Sequence, residues 1–157
     1  MPLSPSAQKV YDTLLALNLN CQILEFQEST RTAQDAADRI GCTLGQIVKS
    51  LIFKGAESGK PILVLTSGAN RVDEKRISAY AGEGIVRADP DFVRNVTGFA
   101  IGGVPPLGHA QKLETYLDED LLQYETIWAA AGTPNAVFEL PAKDLQRITD
   151  GTIAPVK

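Results

Sequence analysis

The chain is poor in the residues from which metal centres and nucleophilic sites are built. It has one histidine, His109, and two cysteines, Cys21 and Cys42, far apart and outside any CxxC pair. A zinc site therefore has almost nothing to draw on, and isolated thiols are the usual state of a cytoplasmic protein. No GxSxG segment is present, so the only nucleophilic arrangement left is Cys21 or Cys42 brought to His109 by the fold. No GxGxxG or GxxxxGK[ST] follows an apolar run, which removes both phosphate-loop fingerprints. The apolar runs fall far short of the ~20 residues of a membrane span. The opening MPLSP has no basic stretch leading into an apolar one, so neither a membrane helix nor a signal peptide is expected. Positive charge is in deficit, with 15 Lys and Arg against 19 Asp and Glu and a net charge of −4. That balance argues against wrapping a nucleic acid along many phosphates, but it allows a small basic cluster to grip one end of an RNA.

What is present is ordinary globular composition, 157 residues with 44% hydrophobic and 22% charged. One domain over residues 1–157 with a real core is the expectation. Ser4 and Pro5 open a helix that places Val10, Leu14 and Leu17 on one face and ends at Asn18. With a strand at 21–26 it makes an N-terminal helix-and-strand unit, residues 1–28, packed on the rest. Thr32 caps a short helix stopped by Gly41, and Thr43 with Gln46 forms a capping box. Strands are predicted at 48–54, 62–66, 99–101, twice within 112–131, and at 136–140. Helices are predicted from Asp73, from Asp89-Pro90, and over 141–149. Asp118, Glu119 and Asp120 read as a solvated turn between strands. Short helices among strands of mixed spacing imply an α/β domain whose mixed, curved, barrel-like sheet is surrounded by helices.

The most informative segment is GFAIGGVPPLGH at 98–109. Adjacent glycines let a backbone approach a ligand closely. Adjacent prolines remove two donors and stiffen the carbonyls that remain. On chemistry alone this is either a tight turn or a loop that presents main-chain groups, with the amides of Gly102 and Gly103 as its free donors ahead of Val104, Pro105 and Pro106. A second segment, IVKSLIF at 47–53, is strand-like with one lysine, Lys49, which either snorkels to a rim or points into a pocket. A third is WAAAGTPNAVF at 128–138.

In this order, the TAQDAA string at 32–37, Val48-Lys49-Ser50-Leu51, Gly102-Gly103-Val104-Pro105-Pro106 and Ala131-Gly132-Thr133-Pro134 resemble the editing domain of bacterial prolyl-tRNA synthetase and its free-standing YbaK-type aminoacyl-tRNA deacylase relatives. The resemblance runs from about Thr30 to Leu145. It implies a mixed, barrel-like sheet, hydrolysis of a small mischarged amino acid from tRNA, and no metal or organic cofactor. The tRNA acceptor end, with tRNA(Pro) foremost, is the implied partner, and prolyl-tRNA synthetase a further one. The glycine–proline loop would lie at the scissile ester, where substrate hydroxyls help activate a water. An aminoacyl ester is already reactive, so orienting water and binding the oxyanion suffice without a strong nucleophile.

Lys49 would hold the terminal phosphate or ribose as a point charge. Thr32 either caps its helix or also faces the pocket. Ser67, Gly68 and Asn70 form a turn whose amides could hold the terminal adenosine. His109 shapes the pocket, bonds the ribose or ends the loop. Gly132 and Thr133 could form the wall that measures the amino-acid side chain. Arg71, Lys75 and Arg76 either touch the acceptor stem or are a solvated helix face. Many synthetase editing domains carry a histidine where this chain has Gly132-Thr133-Pro134-Asn135. Its absence leaves alanine, cysteine, serine and threonine open as the residue removed. The rival class is a non-catalytic aminoacyl- or nucleotide-binding module associated with a synthetase; a hydrolase of small free esters is a third.

Overall fold

The computed structural model describes residues 2–28, 30 and 32–157. In chain order the elements are α1 (Pro5–Ala16), β1 (Ile23–Glu25), α2 (Ala33–Ile40), β2 (Val48–Gly55), β3 (Pro61–Ser67), α3 (Glu74–Ala81), β4 (Ile85–Arg87), α4 (Pro90–Thr97), β5 (Glu114–Asp118), β6 (Thr126–Ala130), β7 (Ala136–Pro141), α5 (Leu145–Thr149) and β8 (Thr152–Ala154). The predicted helix starts have their expected chemistry. Ser4, Thr32, Asp73 and Asp89 each accept a main-chain N–H from the first turn of the helix they open. The left-handed Gly41, Gly82 and Gly98 close α2, α3 and α4.

The strands form two sheets, ordered β4-β2-β3-β5-β8 and β1-β7-β6. The larger one is mixed: β4, β2 and β3 are antiparallel, whereas β3, β5 and β8 run parallel. The smaller is antiparallel throughout. Among the described residues the two are joined by one isolated bridge, Ile47 to Trp128. The α/β class and the mixed sheet therefore stand, but the barrel is not closed.

β2 alternates between two cores. Val48 and Ile52 join α1 residues Ala7, Val10 and Leu14 in the larger core. Phe53, with Leu51 packed beside it, joins Ile62, Val64 and Ile77 beneath α3. β4 pairs with β2 at Phe53–Gly55, and just beyond it the Ala88 N–H donates to the Ile52 carbonyl at 3.2 Å. The main-chain bonds from Gly55 to Lys60 and from Gly68 to Ile47 set which β2 residues bond to β3. By antiparallel alternation, the N–H and C=O of Ser50 then point to the other, unpaired side of β2.

Residues 99–101 are not a strand. The Thr97 hydroxyl accepts the Phe99 N–H at 3.0 Å, and the Gly103 N–H donates to the Ala100 carbonyl at 3.0 Å, so these main-chain groups are engaged locally. The apolar character that suggested a strand serves as an anchor instead: Phe99 is buried, with the Lys9 ammonium 4.8 Å from its ring centre. The short β4 and β8 carried no alternation long enough to be read. The closing helix begins as a 3₁₀ turn at Ala142–Asp144.

Leu14 is fully buried and anchors α1. Leu14→Ala is expected to cost about 2–5 kcal/mol, seen as a lower urea midpoint at unchanged slope.

Candidate active site

A cavity of about 370 Å³ opens on the unpaired side of β2. Lys49, Ser50 and Leu51 line it from β2, Ile101, Gly102 and Val104 from the glycine–proline loop, Thr30, Thr32 and Ala33 from the entry to α2, and Trp128 and Pro134 from β6 and the turn after it. A smaller cavity of about 190 Å³ adjoins it and ends at Arg87, Ala88 and Val93. Ser50, Leu51, Ile101, Gly102 and Val104 line both, so they form the waist between two lobes.

The loop is held from behind. Gly103 packs flat on Thr133, whose backbone would lie 2.7 Å from any added Cβ. The Gly132 N–H donates to the Gly103 carbonyl at 3.0 Å. Gly132 in turn lies against the Ser6 carbonyl of α1, 2.7 Å from where a Cβ would be. His109 Nε2–H donates to the Pro105 carbonyl at 2.7 Å. Burial lowers the His109 pKa, so the ring is a neutral donor rather than an imidazolium. With the Gly103 N–H and C=O and the Pro105 C=O engaged, only one of the two glycine amides remains a free donor. Among the described residues, Gly102 and Val104 keep both main-chain groups without a protein partner.

Lys49 is half-buried, and its ammonium donates to the Asn70 carbonyl at 3.0 Å. Burial pushes its pKa down, Arg71 adds to that, and Asp118 opposes it. The Ser67–Asn70 turn that supplies this carbonyl is built internally. Ser67 Oγ donates to the Gly45 carbonyl at 2.7 Å, and a Cβ on Gly68 would lie 2.6 Å from the Leu44 carbonyl. The Asn70 side-chain amide donates to Asp118 and Asp120, both at 2.8 Å. Asp118 is only 1% exposed, so for this residue the reading as a solvated turn is corrected: the acid caps a structural junction, while Glu119 is exposed and Asp120 partly so.

The structure thus brings Lys49, Thr32, Gly102 and Val104 to one cavity, with Gly103 directly behind its wall. Ser67, Gly68 and Asn70 support Lys49 and are not among the lining residues. Gly132 and Thr133 back the loop, Pro105 and Pro106 belong to it without lining the cavity, and Pro134 supplies the wall assigned to Gly132 and Thr133. His109 lines a different hollow behind the loop, with Pro106 and Ile148. Cys21 faces yet another, beside Glu139, and burial raises its thiol pKa, so it is no activated partner for His109. Arg71, Lys75 and Arg76 are exposed. Ser50 was missed as a site residue because strand alternation turns it away from Lys49; only the unpaired edge lets both reach the cavity. Its hydroxyl is buried without a protein partner among the described residues.

The model of the aminoacyl-tRNA editing domain family matches residues 27–148. The chain is 36% identical over 132 residues to the uncharacterised protein YwhH of Bacillus subtilis strain 168, covering 84% of this chain and 83% of that one. It is 27% identical over 132 residues, 83% and 80% of the two chains, to EbsC of Enterococcus faecalis strain V583, provisionally named a Cys-tRNA(Pro)/Cys-tRNA(Cys) deacylase. A solved structure, provisionally described as a trans-editing enzyme for prolyl-tRNA synthetase, superposes with a TM-score of 0.93 at 46% identity, covering 99% of each chain.

Because Gly103 has backbone rather than a flexible side chain against it, Gly103→Ala is expected to cost about 1–3 kcal/mol. It should lower Tm and reduce ligand affinity together, as followed by calorimetry on one preparation.

Proposed function

Since the chain belongs to the aminoacyl-tRNA editing domain family and is an aminoacyl-tRNA deacylase, we propose that it releases a small, wrongly attached amino acid from tRNA(Pro), correcting the product of prolyl-tRNA synthetase. The observation that carries this reading is the meeting of Lys49, Thr32, Gly102 and Pro134, one from each of the four family segments, around a single cavity.

The chemistry follows from what lines the larger cavity. Among the described residues, Lys49 is the one ionisable side chain that lines it, without a carboxylate or imidazole in the lining. A protonated amine is no general base, so Lys49 binds the acceptor end as a cation. Its bond to Asn70 uses one of its three protons and leaves two for a phosphate or ribose oxygen. A water attacks the ester carbonyl carbon, oriented by the Gly102 carbonyl and the substrate's own hydroxyl. The oxyanion forms against the Gly102 N–H, the proton lost by the water passes through the substrate hydroxyl to the ribose oxygen, and the tetrahedral intermediate collapses by expelling that oxygen as the free ribose hydroxyl and releasing the amino acid. The Ser50 hydroxyl at the waist meets the polar part of the bound amino acid, where a hydrogen bond discriminates more strongly than a methylene does.

The test is release of labelled amino acid from tRNA(Pro) charged separately with alanine, cysteine, serine, threonine and proline. Rapid release of one or two non-cognate residues is expected, with proline retained. Lys49→Ala should slow release by about a hundredfold or more without lowering Tm. Gly102→Leu should block entry, and full turnover in either variant would refute the site. Binding without release would establish the binding-module alternative.

The pH profile follows from Lys49. The ammonium is the active form, and its pKa lies below that of a free lysine. Enzymatic release, corrected for spontaneous hydrolysis, should fall as pH rises through that lowered pKa. In Lys49→Arg the falling limb should move to higher pH or vanish, because arginine does not deprotonate in this range.

A further inference from the structure

We infer that Asp118 is a positioning residue for Lys49: its buried carboxylate fixes the turn at residues 67–70, and Asn70 of that turn presents the carbonyl to which the Lys49 ammonium donates. The inference rests on the reading of Lys49 as the group that holds the acceptor end.

Asp118 does not line the cavity, yet it is almost completely buried at the end of β5. A buried carboxylate persists only when donors surround it. Here Oδ2 accepts from Thr66 Oγ1 at 3.1 Å, the Ser67 N–H at 2.9 Å and Asn70 Nδ2 at 2.8 Å. Oδ1 accepts from the Asp120 N–H at 2.9 Å. Three of these donors belong to the segment that leaves β3 and passes beside Lys49, so the acid sets the course of that segment. Asp120 takes the second Asn70 proton and is itself paired with Lys157 at 2.8 Å.

The consequence reaches Lys49 through one residue. The Asn70 side chain is held by the acids, which fixes the direction of its main-chain carbonyl, and that carbonyl lies 3.0 Å from the Lys49 ammonium. A lysine stem has several rotatable bonds and, lacking an acceptor, extends toward water. Immobilising it beforehand removes an entropic cost from the binding step. The negative charge of Asp118 also favours the ammonium, against burial and Arg71.

The experiment measures affinity of the full chain for cytidylyl-adenosine carrying, through a 3′-amide, the amino acid that the unsubstituted protein releases fastest. Asp118→Asn and Asn70→Ala are each compared in two backgrounds, with Lys49 intact and with Lys49→Ala. Each is expected to weaken binding by about tenfold when Lys49 is present, the scale of one charge-assisted hydrogen bond. In the Lys49→Ala background each should change it by less than about twofold. In tRNA release the intact-lysine variants should raise KM more than they lower kcat.

Equal losses in both backgrounds, or no loss in either while Lys49→Ala still weakens binding, would overturn the inference and leave the role of Lys49 standing. Unchanged affinity in Lys49→Ala alone would remove that role and the inference with it. Should Asp118→Asn fail to fold, Asn70→Ala carries the same comparison, because it leaves the Asp118 bonds to Thr66, Ser67 and Asp120 in place.

Discussion

β4 pairs with β2 at Phe53–Gly55, the Ala88 N–H adds one bond to the Ile52 carbonyl, and the smaller sheet is bridged at Ile47, just before β2, so among the described residues the main chain at Ser50 has a partner on one side alone. Main-chain groups on an unpaired edge must be satisfied by water, by a loop or by a ligand. The glycine–proline loop stands opposite this edge, and the space between them is the two-lobed cavity. A closed barrel would have filled that space with another strand. The incomplete closure is therefore what leaves room for the cavity, and the lysine, the loop and the α2 entry are arranged around it.

Among the described residues, backbone on one wall and one cation on another is a sparse set of tools, and each is fixed from behind. Glycine at 103 is required because Thr133 backbone occupies the position of its Cβ. His109 holds the Pro105 carbonyl, and the prolines contribute stiffness in place of donors. Lys49 is fixed by a carbonyl instead of a carboxylate. An acid in direct contact would neutralise the charge that the proposed binding of a phosphate or ribose requires. A carbonyl holds the amine and leaves it cationic, while the compensating acid, Asp118, sits one residue further away.

Much of this was legible in the sequence where local chemistry decides. Helix caps at Ser4, Thr32, Asp73 and Asp89 were readable because each is set by residues within one turn. β2 and β3 were readable from apolar runs bounded by polar loops. The misreadings lie where a tertiary partner overrides the local pattern. Residues 99–101 have strand composition, but Gly98 and the Thr97 hydroxyl turn the chain and bury Phe99 as an anchor. Asp118 lies in an acidic run that locally resembles a solvated turn, and only the donors from Thr66, Ser67 and Asn70, remote in sequence, make it a buried junction. His109 and the Ser67–Asn70 turn were picked out by residue type, yet they act one layer behind the cavity. Ser50 escaped notice because period-two alternation places it opposite Lys49, and the unpaired edge that brings it into the site is not a property of β2 alone.

The same geometry suits the proposed reaction, although among the described residues the larger cavity is lined by no carboxylate or imidazole. An aminoacyl ester needs little chemical activation, so the barrier lies mainly in placing a water and accommodating charge on the carbonyl oxygen. On the proposed mechanism main-chain amides supply that stabilisation without titrating, and among the described residues Lys49 is the group whose protonation would limit the rate. A strong general base in so open a cavity would attack cognate and non-cognate esters alike. With weak machinery, hydrolysis depends on how well the substrate itself is seated. The proposed mechanism therefore assigns discrimination to the waist between the lobes, where Ser50, Gly102 and Val104 meet. On that reading, a side chain that displaces the ester from Gly102 by a fraction of an ångström would lose turnover even if it still bound.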